Sequence, residues 1–87
     1  MPGIGKRNVS LELDLRGKRA EAVFPELDKY INDAYLANLT QVRIIHGFGT
    51  GALRRVVRDT LAYHPLVGSF RSGYQEEGGD GVTIAIL

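Results

Sequence analysis

The chain has 87 residues, 44% of them hydrophobic, which is enough for a single core but not for a second domain or a deep cleft between domains. Eleven basic and ten acidic residues give a formal net charge of +1, so bulk charge does not by itself favour nucleic acid as a partner. There is no cysteine, and the two histidines lack zinc-ligand spacing, which excludes disulfides and thiolate metal sites.

The amino-terminal residues, MPGIGKRN, lack the apolar core of a secretory signal. No apolar run approaches the roughly 20 residues of a membrane-spanning helix. The sequence therefore predicts a cytoplasmic protein with no membrane partner. We expect residues 1–8 to form a flexible segment or linker and residues 9–87 to form the folded domain.

The first half of the chain predicts a strand followed by a helix. Residues Val9–Leu15 alternate between apolar and polar side chains, which is the period of a half-buried strand. Apolar residues then recur at steps of three and four from Ala20 to Ala34, as in an amphipathic helix, with Asn38 as a left-handed cap. Pro25 lies inside this pattern, so the helix either begins at about that point or bends there.

The second half predicts a strand, a helix and two further strands. The β-branched run Gln41–Ile45 is the second strand, and an apolar stripe from Leu53 to Leu61 marks the second helix. Residues Val67–Tyr74 and Val82–Leu87 are suited to strands, and Asp80-Gly81 between them is a hairpin signal.

The predicted order is therefore βαβαββ, an α/β fold of the α+β two-layer type. Two helices cannot cover both faces of four strands, so we expect a four-stranded mixed sheet with both helices on one face and the other face largely open. A right-handed crossover through the first helix makes the first two strands parallel.

A glycine-rich turn, HGFGTG, joins the second strand to the second helix. Alternating glycines let the backbone approach a ligand, and the helix start offers unpaired amides and a positive dipole end. This pattern predicts a phosphate-type anion site, to which Arg54 and Arg58, one helical turn apart, add positive charge. The spacing fits neither a dinucleotide fingerprint nor a Walker A loop, so no organic cofactor is predicted. The alternative is a purely structural tight connection.

Three polar side chains are expected beside this turn, because parallel neighbouring strands finish at the same sheet edge. Asp14 and Arg16 end the first strand, and His46 ends the second. Asp14 could orient a water or hold a divalent cation, His46 could move a proton, and Arg16 with Arg54 could counter charge on a cleaving phosphodiester. The alternative is a surface Asp14–Arg16 ion pair and a histidine satisfied by backbone groups.

The uncovered sheet face is a second candidate surface. Arg43 and Arg71 are expected there with Glu12 and Asp14, where they could follow a sugar-phosphate backbone or form an ordinary solvated surface. The acidic residues of the last connection lack calcium-loop spacing and indicate a solvated turn rather than a metal site.

Three segments in order, LELDLRG (11–17), VRIIHGFGTGALR (42–54) and EGGDGVTIAIL (77–87), resemble the Smr, or small MutS-related, domain. They resemble more closely the version found at the C-terminal end of the second bacterial MutS paralogue. The resemblance covers nearly the whole chain. It implies a fold like that of the C-terminal domain of bacterial translation initiation factor three, with the last strand antiparallel to the others.

The resemblance also implies nicking endonuclease activity on DNA, or RNA cleavage as in relatives that act on stalled ribosomes. Asp14, Arg16 and His46 then become the candidate catalytic residues. The candidate substrate-binding residues from the motifs and the charge pattern are Gly47, Gly49, Thr50, Gly51, Arg54, Arg43 and Arg58. Many family members carry histidine at the position of Arg16, whose guanidinium stays charged and is suited to clamping phosphate rather than moving protons.

The leading hypothesis is thus a domain that nicks branched or duplex DNA with little sequence specificity, as the C-terminal part of a homodimeric MutS-like recombination or repair protein. A requirement for magnesium or manganese is left open. The alternative is a non-catalytic module that binds DNA, RNA or the ribosome. A small-molecule phosphate binder would need a deeper pocket than this length provides.

Overall fold

The computed structural model describes residues 8–87, so the predicted flexible segment falls almost entirely outside the described residues. Two helices, α1 (Ala20–Leu36) and α2 (Ala52–Tyr63), and four strands, β1 (Glu12–Asp14), β2 (Gln41–Ile45), β3 (Ser69–Ser72) and β4 (Val82–Ile86), make up the fold. Short 3₁₀ turns at Gln75–Glu77 and Gly79–Gly81 connect β3 to β4.

The strands form one mixed sheet in the order β1-β2-β4-β3. β1 pairs with β2 in parallel, and β4 is antiparallel to both of its neighbours. The predicted βαβαββ order and two-layer α+β architecture are confirmed.

The core lies between the sheet and the two helices. α1 contributes Val23, Leu27, Ile31 and Ala34, all fully buried, at the spacing of a single helix face. α1 begins at Ala20 and continues through Pro25. Proline is tolerated there although it removes the amide that would donate one turn back. Asn38 follows the helix with φ of 65°, the predicted left-handed conformation.

β1 is shorter than predicted. Regular pairing begins at Glu12, although the carbonyl of Leu11 still accepts from the Arg43 amide at 2.9 Å. The amide of Glu12 faces the outer edge of the sheet and bonds to the Ser10 side chain at 3.2 Å. Leu11, expected on the buried face, is 65% exposed.

The hairpin between β3 and β4 is also built differently from the expectation. The Asp80-Gly81 pair lies within the second 3₁₀ turn rather than in a two-residue loop. The carboxylate of Glu77 explains the longer path, because it accepts a hydrogen bond from the Tyr74 amide at 2.7 Å and pairs with Arg71 at 2.8 Å. These contacts hold the connection compact.

The sheet face away from the helices carries a cross-strand row of Glu12, Arg43, Ile84 and Arg71. Arg43 and Glu12 form an ion pair at 3.7 Å. Ile84 is only 2% exposed between its two arginine neighbours, so this face is less open than predicted. Among residues 8–87, no helix has the length and apolarity needed to cross a membrane.

Candidate functional site

The turn between β2 and α2 depends on glycine conformations. Gly47, Gly49 and Gly51 have φ of 76°, 40° and 87°, in the left-handed region that side chains disfavour. The amides of His46 and Gly47 both donate to the carbonyl of Gly81, at 3.1 and 2.9 Å. The turn is therefore fixed to the start of β4 rather than free to move.

Beyond this anchor, the turn presents unused donors. The amides of Phe48, Gly49 and Thr50 make no hydrogen bond within the described chain, nor do those of Leu53 and Arg54 in the first turn of α2. The amide of Ala52 bonds to the Thr50 hydroxyl at 3.3 Å. These groups surround a cavity of about 180 Å³ at the positive end of the α2 dipole. The arrangement is that of an anion cradle.

Two arginines of α2 lie beside the cradle. The Nε atoms of Arg54 and Arg58 are buried without a hydrogen-bond partner among the described residues. Arg58 is otherwise held by a 2.6 Å bond to the Ser72 hydroxyl and by the Phe70 ring, 5.9 Å from its guanidinium carbon. Buried donors that go unused are costly. Both arginines also bring positive charge to this side of the turn, and Arg54 lines the cavity itself.

His46 lies on the helix side of the sheet, 5% exposed. Its Nδ1 is 2.9 Å from the Gly47 carbonyl and its Nε2 is 2.9 Å from the Thr83 hydroxyl. Because a carbonyl only accepts, Nδ1 carries the proton and Nε2 of the neutral ring accepts from Thr83. Burial lowers the pKa of His46, and the charges of Arg58 and Arg54 lower it further, against the raising effect of the Gly47 bond. His46 therefore ties the turn to β4 as a neutral ring.

Asp14 and Arg16 form a close ion pair on the other side of the turn. The carboxylate accepts from Nε at 3.0 Å, from Nη2 at 2.7 Å and from the Arg16 amide at 3.0 Å. The Arg16 hydrogen bonds lower the pKa of Asp14 to about 2, so it is ionised at neutral pH. The stem of Arg16 packs on Gly47, where an added Cβ would lie 3.3 Å from Cγ.

A shallow groove of about 540 Å³ runs along the same side. Its lining includes Arg16, Arg43 and Phe48, together with Glu77 and Val82. Arg43, predicted as a backbone-following residue, thus shares a surface with the turn.

The predicted residues therefore divide into two groups at one sheet edge. Asp14, paired in register with Ile45, faces away from the helices, whereas His46 faces them together with Arg54 and Arg58. No hydrogen bond or ion pair in residues 8–87 joins His46 to Asp14 or Arg16. The alternation of β2 predicts the face on which His46 lies, because His46 follows the buried residues Val42 and Ile44 at steps of two.

Sequence reasoning did not identify two residues of this edge. Thr83, fully buried, holds the His46 ring, and Phe48 presents a 71% exposed aromatic ring on the turn itself. The alternation of β4 groups Val82, Ile84 and Ile86 on one face and leaves Thr83 on the other, so it gave no sign of a buried threonine. Pairing with β2 sets Thr83 opposite the buried Ile44 and so places it in the core. An aromatic residue between two glycines was the signal for Phe48.

Metal ligands are sparse here. Within residues 8–87, no group of three or more histidine, aspartate or glutamate side chains lies close enough together to hold a metal ion. Asp14 is the acidic member of the candidate site, and Arg16 occupies both of its oxygens.

Comparisons with known proteins bear on this site. The Smr domain family matches residues 13–87. Endonuclease MutS2 of Halothermothrix orenii is 57% identical over 82 residues, and that of Geobacillus thermodenitrificans is 56% identical over 80 residues. These alignments cover 94% and 92% of this chain but 10% of each relative, so the chain spans about a tenth of the length of the curated relatives it matches.

Two solved structures have the same fold as this chain. The Smr domain of Thermus thermophilus MutS2 superposes with a TM-score of 0.84 at 39% identity, covering 87% of this chain and 95% of that one. YdaL of Escherichia coli, a stand-alone small MutS-related protein, superposes equally well at 0.84, with 24% identity over 88% of this chain and 63% of that chain. The second likeness concerns the fold alone. The chain therefore belongs to the Smr domain family.

Proposed function

We propose that this domain binds a backbone phosphate of nucleic acid at the glycine turn and nicks the strand by phosphodiester hydrolysis. The observation that carries the proposal is a small cavity lined by Arg54 and by the amides of Phe48, Gly49 and Thr50, which have no hydrogen-bond partner within residues 8–87. Phosphate is common to every nucleotide, so binding through it carries little sequence information. The MutS2 relatives, which are named endonucleases, support the same reaction class.

In the proposed reaction, Arg16 exchanges its hydrogen-bond partner Asp14 for the substrate. A bound phosphodiester competes with Asp14 for the Arg16 fork, which frees the carboxylate to accept a proton from the attacking water. Water attacks phosphorus, the bond to the leaving oxygen breaks, and that oxygen takes a proton from the imidazolium form of His46, in which Nε2 has given up its hydrogen bond from Thr83. The anion favours this form by raising the pKa of His46. Arg54 and Arg58 counter the charge of the transition state.

A divalent ion could supply further charge neutralisation. Within residues 8–87 no group of three or more acidic or histidine side chains could hold such an ion, so the experiment below tests the requirement directly. We also propose that the domain acts as the C-terminal part of a larger, homodimeric MutS-like protein in DNA recombination or repair. RNA or the ribosome is the alternative substrate.

A second candidate function, a non-catalytic binding module, is favoured by a separate observation. Both groups assigned to proton transfer are engaged: His46 at both ring nitrogens, and Asp14 by Arg16. A site that only holds phosphate would need no free acid or base.

One experiment separates the two candidates. The domain is incubated with supercoiled plasmid and with single-stranded RNA, in magnesium, manganese or chelator, beside Asp14→Asn, His46→Ala and the matched control Asp59→Asn, an exposed carboxylate of α2. We expect relaxed circles from the wild type and Asp59→Asn, and none from the other two variants when circular dichroism shows them folded. If the folded wild type retards DNA in a gel without cutting it, the binding module is the correct function.

A further inference from the structure

Phe48 lies at the centre of the glycine turn and exposes 71% of its surface. An exposed phenyl ring costs free energy in water unless it has a partner for part of the time. The reaction proposed above assigns it no task. Its neighbours Gly47 and Gly49 both have positive φ, so the backbone conformation directs this residue outward from a fixed turn.

The ring is held in place from one side by Gly81. A Cβ added at Gly81 would lie 3.0, 3.2 and 3.4 Å from Cε2, Cζ and Cδ2 of Phe48. Three consecutive ring carbons at nearly equal distances indicate that Gly81 lies against the face of the ring, since an approach along the edge would leave the outer two distinctly farther. One face is therefore supported by backbone, and the other is left for a ligand.

The surroundings of the ring identify that ligand. On one side lies the cavity with the free amides of Gly49 and Thr50. On the other lies the groove lined by Arg16 and Arg43, whose charges suit the next phosphates of a strand. A flat aromatic ring between two sites for phosphate matches the repeat of a nucleic-acid strand, in which each base extends from a phosphate-linked sugar.

We propose that Phe48 is a base-stacking platform, and that the strand gripped by the glycine turn is unpaired at the nucleotide stacked on it. The inference rests on the proposed function and specifies its substrate: single-stranded segments, flaps or frayed junctions rather than intact duplex. A paired base is stacked inside the helix and cannot lie on the ring without leaving it. Supercoiled DNA is cut, on this view, where it transiently opens.

The chain contains no tryptophan, so Phe48→Trp introduces a single reporter. Its fluorescence should be quenched by an unpaired oligothymidine strand and unaffected by an abasic strand of the same length. The matched control is Phe24→Trp on α1, a residue 58% exposed and outside the site, whose fluorescence should not change. Phe48→Ala should weaken single-strand binding by at least about fivefold, the lower end of base–aromatic stacking, and Phe48→Tyr should restore it.

Two failures are distinguishable. If Phe48→Trp binds the strand by anisotropy without quenching, and Phe48→Ala binds as tightly as the wild type, the stacking inference is overturned while phosphate binding stands. If the wild type binds neither single-stranded nor duplex nucleic acid, the proposed function itself fails, and this inference fails with it.

Discussion

Substitution of Arg54 should change the stability of the domain and its binding of phosphate in opposite directions. The Nε of Arg54 is buried without a hydrogen-bond partner in the described chain, while its guanidinium lies beside the cavity of the proposed phosphate. Methionine keeps a flexible unbranched stem of similar reach and removes the unused donor. Arg54→Met should therefore stabilise the unliganded domain and weaken its binding of phosphate.

The size of both effects follows from the buried donor. A buried donor left unsatisfied costs about 1–3 kcal/mol, and since the residue is only half-buried we expect Arg54→Met to raise the free energy of unfolding by about 1 kcal/mol. That corresponds to a rise of about 4–8 °C in Tm for a domain of this size. Loss of one charge-assisted hydrogen bond, about 1.5–3 kcal/mol, should weaken nucleic-acid binding by about 10- to 150-fold and reduce the salt slope by about 1.

The assay is urea unfolding with and without inorganic phosphate, beside the matched control Arg55→Met, an exposed neighbour with the same change in charge. Phosphate should raise the unfolding midpoint of the wild type and of Arg55→Met, because a ligand bound only by the folded state stabilises it. It should leave Arg54→Met unchanged. A variant that is less stable than the wild type and keeps the full response to phosphate would refute the reasoning.

Three further variants probe the rest of the site. Thr83→Val, which leaves the Nε2 of His46 without its donor, should lower the free energy of unfolding by about 1–3 kcal/mol in urea, and Thr83→Ser should recover most of it. The pKa of Asp14 in the folded chain, about 2, lies below its ordinary value of 3.8. Its ion pair therefore stabilises the fold fully above pH 3.8, and this contribution to the free energy of unfolding is lost as the pH falls toward 2. Asp14→Asn should therefore flatten the acid limb of a thermal-unfolding titration. Gly49→Ala, at φ of 40°, should cost about 1–2 kcal/mol and reduce phosphate binding measured by calorimetry.

Each of these has a contrary result. Equal stabilities of Thr83→Val and the wild type would show that the His46 bond contributes nothing. An unchanged acid limb in Asp14→Asn would remove the ion pair from the stability account. Gly49→Ala that binds phosphate normally would show that the turn conformation is not what presents the amides.

The architecture was predictable because apolar side chains recur along each helix and strand at the spacing of the face that packs against the core. The apolar stripe predicted α1. The run Gln41–Ile45 predicted β2, and the structure reproduces both ends of that strand. The resemblance to the Smr domain implied the same order of elements, and the structure confirms it. The start of β1 and the β3–β4 connection were predicted wrongly. The second is held by the side-chain bonds of Glu77, which no periodicity reports.

The sequence predicted which residues lie close together at the site, but not the face of the sheet on which each side chain lies. Parallel pairing of β1 with β2 correctly brings Asp14 and His46 to one edge. Which face each side chain takes depends on register, and the pairing of Asp14 with Ile45 places His46 one step farther, on the opposite face. The roles of Gly81 as an anchor and of Phe48 as an exposed ring require distances between β4 and the turn, which are separated by about 30 residues in the chain. The catalytic assignments remain predictions.

The most direct test of phosphate binding at the glycine turn is a titration of the ¹⁵N-labelled domain with a short single-stranded oligonucleotide, followed by amide chemical shifts. We predict the largest shifts at Phe48, Gly49, Thr50 and Arg54, whose amides have no partner among residues 8–87, with smaller shifts along the Arg16 and Arg43 groove. Shifts confined to the outer surface of the helices, with these amides unmoved at saturation, would contradict the account.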